Sequence, residues 1–435
     1  MKLLDKIRNQ SFWFTDYLKG GKIKSHYDDV KLILENTSLK ESRQKQATHL
    51  TNILNHAVDT TEFYKKQKGF NSIEEFPITN KNLIRDNFNK FESNKFINKK
   101  KRKVSTSGST GSPFHIFQNQ DKVKRHIADT IYFGEKVGYN FGQELIYIRI
   151  WPKEEARSFI RNFHQVSVFA FEDKDIEKIL KKIKNSKHKV AMLGYASSFE
   201  KICNYMDKKR VDPIKDKTCS IISMSERLNS YTRKSIKKYF NQAIVSRYSN
   251  TEQGMIAQEE LNVEGRFKIN KASFFVEILD MEEDILAKKG SYGRIVVTDL
   301  FNFAIPLIRY DTGDIAKIEE YKNSNGIVES YLTNIEGRKN DLIYNTKGEI
   351  TPFQISYLMT KYGEFKQFQF VQCGEKEYIL KINTDKKVLK ENELIEMYKK
   401  ILGPDANIKI EYVDGIPVLG SGKKKEVLNT YKNPV

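Results

Sequence analysis

The sequence predicts an α/β protein in two parts. The first is a large N-terminal domain with mostly parallel sheets flanked by helices plus an antiparallel, barrel-like portion; the second is a small C-terminal α+β domain. Three observations carry this. Strand-length apolar runs alternate with amphipathic helical stretches between about 145 and 248, the pattern of a parallel sheet covered by crossover helices. From about 266 the texture changes to Gly-punctuated strands, which suits antiparallel pairing. A second change comes at Gly337-Arg338-Lys339-Asn340-Asp341, where a shorter mixed segment begins.

Taken in order, residues 1 to about 100 read as a polar helical leader. Ile33-Leu34 and Leu54 carry helical spacing, and Pro77-Ile78-Thr79 turns the chain before the next helix. Strands are expected at 145–151 and 190–194, with an amphipathic stretch at 176–183 between them. A third apolar strand at 219–224 precedes a helix at 229–240, whose apolar positions are Tyr231, Ile236, Tyr239 and Phe240; the strand 243–248 follows. The antiparallel strands fall at 274–279, 293–298, 305–310 and 327–332. Beyond the second boundary come a hairpin centred on Lys347-Gly348, a helix at 353–362 and strands at 368–372 and 378–382. A helix at 389–402 and a strand at 408–413 complete the order.

At 435 residues, 39% hydrophobic and 30% charged, the chain has the composition of a soluble globular protein. No run approaches the roughly 18–20 apolar residues of a membrane span. The opening Met1-Lys2-Leu3-Leu4-Asp5-Lys6 lacks the apolar core of a signal peptide, so a cytoplasmic protein is expected. Cys203, Cys219 and Cys373 are too few and too scattered for a disulfide framework or zinc cluster. The net charge of +19 comes from lysines spread among nearly as many acids, as on solvated helix faces. The one dense run, Lys99-Lys100-Lys101-Arg102-Lys103, is either a solubilising loop or a field that draws in a polyphosphate. A nucleic-acid partner is not expected, because no helix-turn-helix, zinc-finger or aromatic RNA-reading pattern accompanies the charge.

Directly after that run stands Thr106-Ser107-Gly108-Ser109-Thr110-Gly111-Ser112-Pro113. Glycines let backbone N–H groups turn onto an anion and hydroxyls add donors, although the same composition also makes a plain surface turn. No Lys-Ser/Thr pair closes it, so it is not a Walker A loop. Five later segments keep it company. Ser223-Met224-Ser225-Glu226 ends a strand, where open α/β sheets bind ligands and where Ser225 is equally suited to capping a helix. In Tyr248-Ser249-Asn250-Thr251-Glu252 the tyrosine offers a flat face for a purine and the glutamate a hard oxygen for Mg²⁺; a solvated turn reads the same way. Arg309-Tyr310-Asp311-Thr312-Gly313-Asp314 puts an acid beyond a Thr-Gly turn, suited to ribose hydroxyls. Arg338 and Asn340 sit at the texture boundary, and Ser421-Gly422-Lys423 presents a lysine on a Gly-flanked loop.

The order and spacing of these segments resemble the superfamily of adenylate-forming enzymes: acyl-CoA synthetases, peptide-synthetase adenylation domains and luciferases. The likeness is greatest to its phenylacetate–CoA ligase branch, which includes the CapK-like proteins of capsule polysaccharide biosynthesis. It runs from the loop at 105 to Lys423, and Phe12-Trp13, Leu18-Lys19-Gly20 and His26-Tyr27 resemble the CapK-like opening.

The resemblance implies a large AMP-binding domain over 1–337, a hinge at 338–341 pivoting on Asn340, and a small mobile domain over 342–435. It implies that Ser107, Gly108, Ser109, Thr110 and Gly111 hold the ATP phosphates, and that Ser225 and Glu226 lie along adenine. Tyr248 would stack on adenine beside Ser249, with Thr251 on phosphate, Glu252 on Mg²⁺, and Asp314 and Arg338 on ribose and phosphate. Lys423 would bridge the carboxylate and α-phosphate. Phe114 stands where many members have a phosphate-binding lysine, Asp311 where many have arginine, and Asn340 where the hinge is usually Asp or Lys.

Tyr132, Phe133, Tyr195, Gly254 and Met255 flank segments that line the acyl pocket in relatives, and such aromatics also serve as ordinary core. The expected activity is an ATP-dependent, AMP-forming ligase that joins a small carboxylic acid to coenzyme A. The alternative is a CapK-like ligase passing the acyl group to an amine, sugar or carrier protein. Neither the acid nor the oligomeric state is legible.

Overall fold

The computed structural model describes residues 3–36, 40–106, 114–149, 162–168, 171–322, 326–338, 343–349, 367–384, 390–416 and 427–431. The expected helix at 353–362 therefore lies outside the described residues.

The leader is helical, as its spacing predicts: α1 (Leu3–Leu18), α2 (Lys22–Glu35) and α3 (Lys40–Thr60). The carboxylate of Asp16 caps α2 by accepting from the N–H groups of Ile23 and Lys24 at 3.1 and 2.9 Å. After the turn at Pro77, Asn80 caps α4 (Lys81–Asp86) by accepting from Leu83 N–H at 3.0 Å, and α5 (Phe88–Phe91) follows. The basic run is only partly a loop, since Lys99 and Lys100 precede a strand. It enters β1 (Lys101–Thr106), which pairs antiparallel with β2 (Phe114–Asn119) from Lys101↔Asn119 to Thr106↔Phe114. Alternation explains this: Val104 is buried while its neighbours Lys103 and Ser105 face out. Lys101 is occupied by an ion pair with Glu92.

Helix α6 (Gln120–Lys136) leads into β3 (Leu145–Arg149) and β4 (Phe163–Ser167). Three strand–helix steps follow: α7 (Asp173–Asn185) with β5 (Val190–Tyr195), α8 (Ala196–Lys208) with β6 (Thr218–Met224), and α9 (Ser230–Phe240) with β7 (Ile244–Asn250). Pairing of β3 with β4 and β5, β5 with β6, and β6 with β7 is parallel throughout. The chain then turns back through β8 (Gly254–Glu259), antiparallel to β7, and β9 (Arg266–Ile269), antiparallel to β8. With β10 (Phe274–Leu279), β11 (Gly293–Asp299), β12 (Tyr310–Lys322) and β13 (Val328–Arg338) these form one sheet, ordered β10-β11-β12-β13-β9-β8-β7-β6-β5-β3-β4.

One expected strand is absent. Residues 305–309 run without regular structure, and β12 begins only at Tyr310. Pro306 has no N–H to offer a ladder and Arg309 takes a left-handed φ of 45°, so the segment is buried through its side chains instead. Ile305, Leu307, Ile308 and Tyr310 pack with Tyr64, Phe76, Phe91 and Phe114, tying the leader to the sheet. Asp314 consequently lies inside a long strand rather than at a strand end.

The chain divides into two compact units. The larger comprises 1–228, 232–312 and 316–335; the smaller comprises 229–231, 313–315 and 336–435. In the smaller, β14 (Gln367–Gln372), β15 (Glu377–Asn383), α10 (Glu391–Leu402), β16 (Asn407–Tyr412) and β17 (Val427–Asn429) build a four-stranded sheet ordered β16-β15-β14-β17. Its core includes Phe370 stacked on Tyr378 and Tyr398, with Leu380, Ile382 and Leu394 around them. The Lys347-Gly348 turn forms as expected, held by Asn345, whose side chain accepts from Lys347 and Glu349 N–H.

Candidate active site

The turn between β7 and β8 is fixed from several sides. Asn250 Oδ1 accepts from Gln253 N–H at 2.7 Å, and Asn250 Nδ2 donates to Gln253 Oε1 at 2.9 Å. The carbonyl of Glu252 accepts from Gln118 Nε2 at 2.9 Å, so β2 holds the turn in register. Thr251 at its tip is exposed; Tyr248 and Ser249 are half-buried. The Tyr248 hydroxyl donates to Thr312 Oγ1 at 3.2 Å, and Thr312 Oγ1 donates to the Ile295 carbonyl at 3.0 Å. The two segments that the sequence singled out at 248–252 and 309–314 thus meet at this point.

Glu252 is almost fully buried. Its Oε1 lies 2.7 Å from Lys81 Nζ and accepts from the Tyr310 hydroxyl at 3.3 Å. Lys81 opens α4, where the Asn80 cap sets its direction, and its ammonium lies 6.0 Å from the centre of the Phe114 ring. Sequence reasoning missed Lys81: an Asn-Lys helix start is legible, but no spacing rule links residue 81 to residue 252. A Mg²⁺ ion fits this carboxylate only with help. Among the described residues no three His, Cys, Asp or Glu side chains gather for a metal, so Glu252 would share the ion with phosphate oxygens and water.

The remaining expected positions separate. Ser225 follows β6 in a left-handed conformation (φ 66°) and is exposed; it does not cap a helix, because α9 starts only at Ser230. Glu226 accepts from Ser197 N–H at 2.8 Å, a charge suited to the positive end of α8. Asp311 pairs with Arg294 at 3.1 Å. Asp314 is half-buried on β12, and the backbone of Arg338 ends β13. Ser107, Gly108, Ser109, Thr110, Gly111, Asn340 and Lys423 lie outside the described residues.

Of the expected acyl-pocket positions, Tyr132, Phe133 and Met255 are buried together with Val30, Ile33, Leu34 and Ala272 under α2, a packing role that accounts for them without a ligand. Gly254, at φ +104°, lies against the His126 ring; a Cβ there would stand 2.5 Å from Nδ1. Burial pushes the His126 imidazole down to about 3, so it is neutral at pH 7. Tyr195 ends β5 and leads into α8. It begins a register row, Tyr195↔Met224↔Arg247↔Gln258, whose side chains share one face of the sheet. Arg247 was also missed, though a charged residue two positions after Val245 in an apolar strand was a usable signal.

This fold recurs in solved structures of low sequence identity. It is shared with 2-hydroxyisobutyryl-CoA ligase in the postadenylation state in complex with 2-HIB-AMP (TM-score 0.69, 14% identity, 89% of this chain and 90% of that one). ATP-bound MatB from Rhodopseudomonas palustris is similar over a shorter span (TM-score 0.52, 16% identity, 74% of this chain and 65% of that one). The sequence likeness is to a CapK protein and to the CapK C-terminal domain. The chain is 25% identical to Protein CapK of Staphylococcus aureus over 96% of its own length and 95% of that protein's, and residues 342–430 match the CapK C-terminal domain family.

Proposed function

We propose that this chain is an ATP-dependent, AMP-forming carboxylate ligase. A carboxylate oxygen of the acid attacks the α-phosphorus of ATP, the bond to the β-phosphate oxygen breaks, and acyl-adenylate and pyrophosphate result. The activated carbonyl is then attacked by a thiol, coenzyme A, releasing AMP. The observation that carries the reading is the contact of Tyr248 with Thr312 and of Glu252 with Tyr310, which joins the 248–252 and 309–314 segments beside the carboxyl end of β7, in a fold shared with ligases.

In this reading Tyr248 offers its ring to adenine and Ser225 and Glu226 border it. Ser249 and Thr251 face phosphate with Ser107, Gly108, Ser109, Thr110 and Gly111, and Asp314 and Arg338 hold ribose and phosphate. Mg²⁺ on Glu252 would neutralise charge on the pyrophosphate, and Lys423 would do so at the α-phosphate. Residues 338–341 act as a hinge on Asn340, and 342–435 as a domain that reorients between half-reactions. The CapK C-terminal domain match over 342–430 supports that boundary. A CapK-like acceptor (an amine, sugar or carrier protein in surface polysaccharide synthesis) is the second reading, favoured by the likeness along nearly the whole chain to Protein CapK. Pyrophosphate release from ATP with a panel of carboxylic acids, first without and then with coenzyme A, tests both. Acid-dependent release without a thioester on adding coenzyme A would favour the second acceptor class, and no release with any acid would overturn the ligase.

A further inference from the structure

Arg247 is a buried cation without an acid. It is only 9% exposed, and among the described residues it forms no ion pair. Its Nε donates to Gln258 Oε1 at 3.0 Å, and Gln258 is itself anchored by donating from Nε2 to the Phe133 carbonyl at 3.0 Å. The guanidinium is thereby held by one edge, leaving both Nη groups with no hydrogen bond among the described residues. Among the described residues, the titratable groups near enough to interact with it electrostatically include the Tyr147 hydroxyl, which contacts Met224 Sδ at 4.0 Å, and the neutral His126 imidazole of α6. The Nδ1 of His126 is buried and has no hydrogen-bond partner among the described residues. Burial pulls the arginine down to about 10, still charged at pH 7. An unpaired guanidinium is strongly disfavoured in such surroundings, so its retention calls for an anion that arrives from outside.

The register row fixes where that anion would sit. Arg247 and Tyr248 are adjacent on β7 and project to opposite faces, so Arg247 is not on the face that Tyr248 offers to a nucleotide. Tyr195, Met224 and Tyr147 share its face, near the carboxyl ends of β5, β6 and β3. We propose that Arg247 recognises a second carboxylate on the acid this enzyme activates, which makes its substrate class dicarboxylic acids. This rests on the ligase reading: one carboxylate attacks the α-phosphorus while the other pairs with the two Nη groups, a geometry in which arginine excels.

Matched pairs of mono- and dicarboxylic acids, such as butyrate with succinate and benzoate with phthalate, test it in the intact protein. Pyrophosphate release and calorimetric binding in the presence of ATP are measured for wild type, Arg247→Met and Arg247→Lys. The expected result is a kcat/KM preference for the diacid of about 10²–10³ in wild type, reversed in Arg247→Met and partly kept in Arg247→Lys, with ATP affinity unchanged. The wild-type panel stands alone should Arg247→Met fail to fold. Turnover of monoacids in preference to diacids would overturn this inference and leave the ligase intact. Arg247-dependent diacid binding without pyrophosphate release would sustain the recognition and remove the ligase. Absence of both diacid binding and diacid turnover would overturn the recognition.

Discussion

Lys81 holds the Glu252 carboxylate at 2.7 Å while its ammonium lies 6.0 Å from the Phe114 ring. The position after the hydroxyl loop thus has no lysine in sequence, yet a lysine stands beside it in space. The Lys81 side chain is a third exposed, while the acid it pairs with is buried.

Lys81→Ala is expected to weaken the use of ATP. Losing one charge-assisted contact to phosphate corresponds to about 1.5–3 kcal/mol, or roughly 10–10² in kcat/KM for ATP, with a smaller loss for Lys81→Arg. Among the described residues the Glu252 carboxylate would retain only the Tyr310 hydroxyl, so a buried charge loses its counter-ion and a clear drop in melting temperature should accompany it. ATP–pyrophosphate exchange and thermal melts read the two effects separately; unchanged exchange would leave Lys81 a structural partner of Glu252 alone.

Asp314→Ala should weaken ATP and AMP equally, by roughly 10–10², because a carboxylate on ribose hydroxyls senses neither β- nor γ-phosphate. Calorimetry with both nucleotides checks this. An effect on ATP alone would move Asp314 from ribose to the phosphates.

Lys423→Ala should lower adenylate formation by about 10²–10³ while leaving thiolysis of supplied acyl-adenylate nearly intact. In the proposed ligase the lysine would act where charge develops at the α-phosphate, a feature of the first half-reaction only. Equal damage to both halves would contradict that role.

Asn340→Pro should spare one half-reaction and cripple the other. Proline fixes φ near −65° and restricts Lys339, while in the proposed ligase the two halves would need the 342–435 domain in different orientations. Pyrophosphate release and thioester formation from supplied adenylate, measured on a variant shown to be folded, give the answer; equal retention would put the pivot elsewhere.

Acid should destabilise the large unit through His126. Its unfolded imidazole takes up a proton near pH 6.5, whereas the folded one, desolvated by burial, waits until about 3. The unfolded chain therefore binds more protons across that window. Stability is full above pH 6.5 and falls as pH drops through it, by at most about 1.4 kcal/mol per pH unit from this residue. His56 and His164, also lowered by burial, act in the same direction. Urea unfolding at pH 7 and pH 5 should show a loss of stability in wild type that shrinks in His126→Asn; an equal loss in both would assign the pH dependence to other groups.

The sequence by itself determined the order of elements and the class of fold. Apolar runs of strand length at 190–194 and 219–224, and the amphipathic helix between 229 and 240, are local patterns fixed by a few neighbouring residues. Pro77-Ile78-Thr79 and Lys347-Gly348 likewise announce a turn before a helix and a hairpin from short-range chemistry. Where a local signal competed with tertiary packing, the reading failed: 305–310 looked like a strand, but Pro306 and Arg309 deny it a ladder and burial against Tyr64 and Phe76 replaces it. Only the tertiary structure decided which side chains meet. Lys81 and Glu252 are 171 positions apart in the chain, and Arg247 joins Tyr195 and Met224 only through strand register. Such pairings have no sequence periodicity, because they are set by how the leader packs on the sheet and by which strands lie side by side.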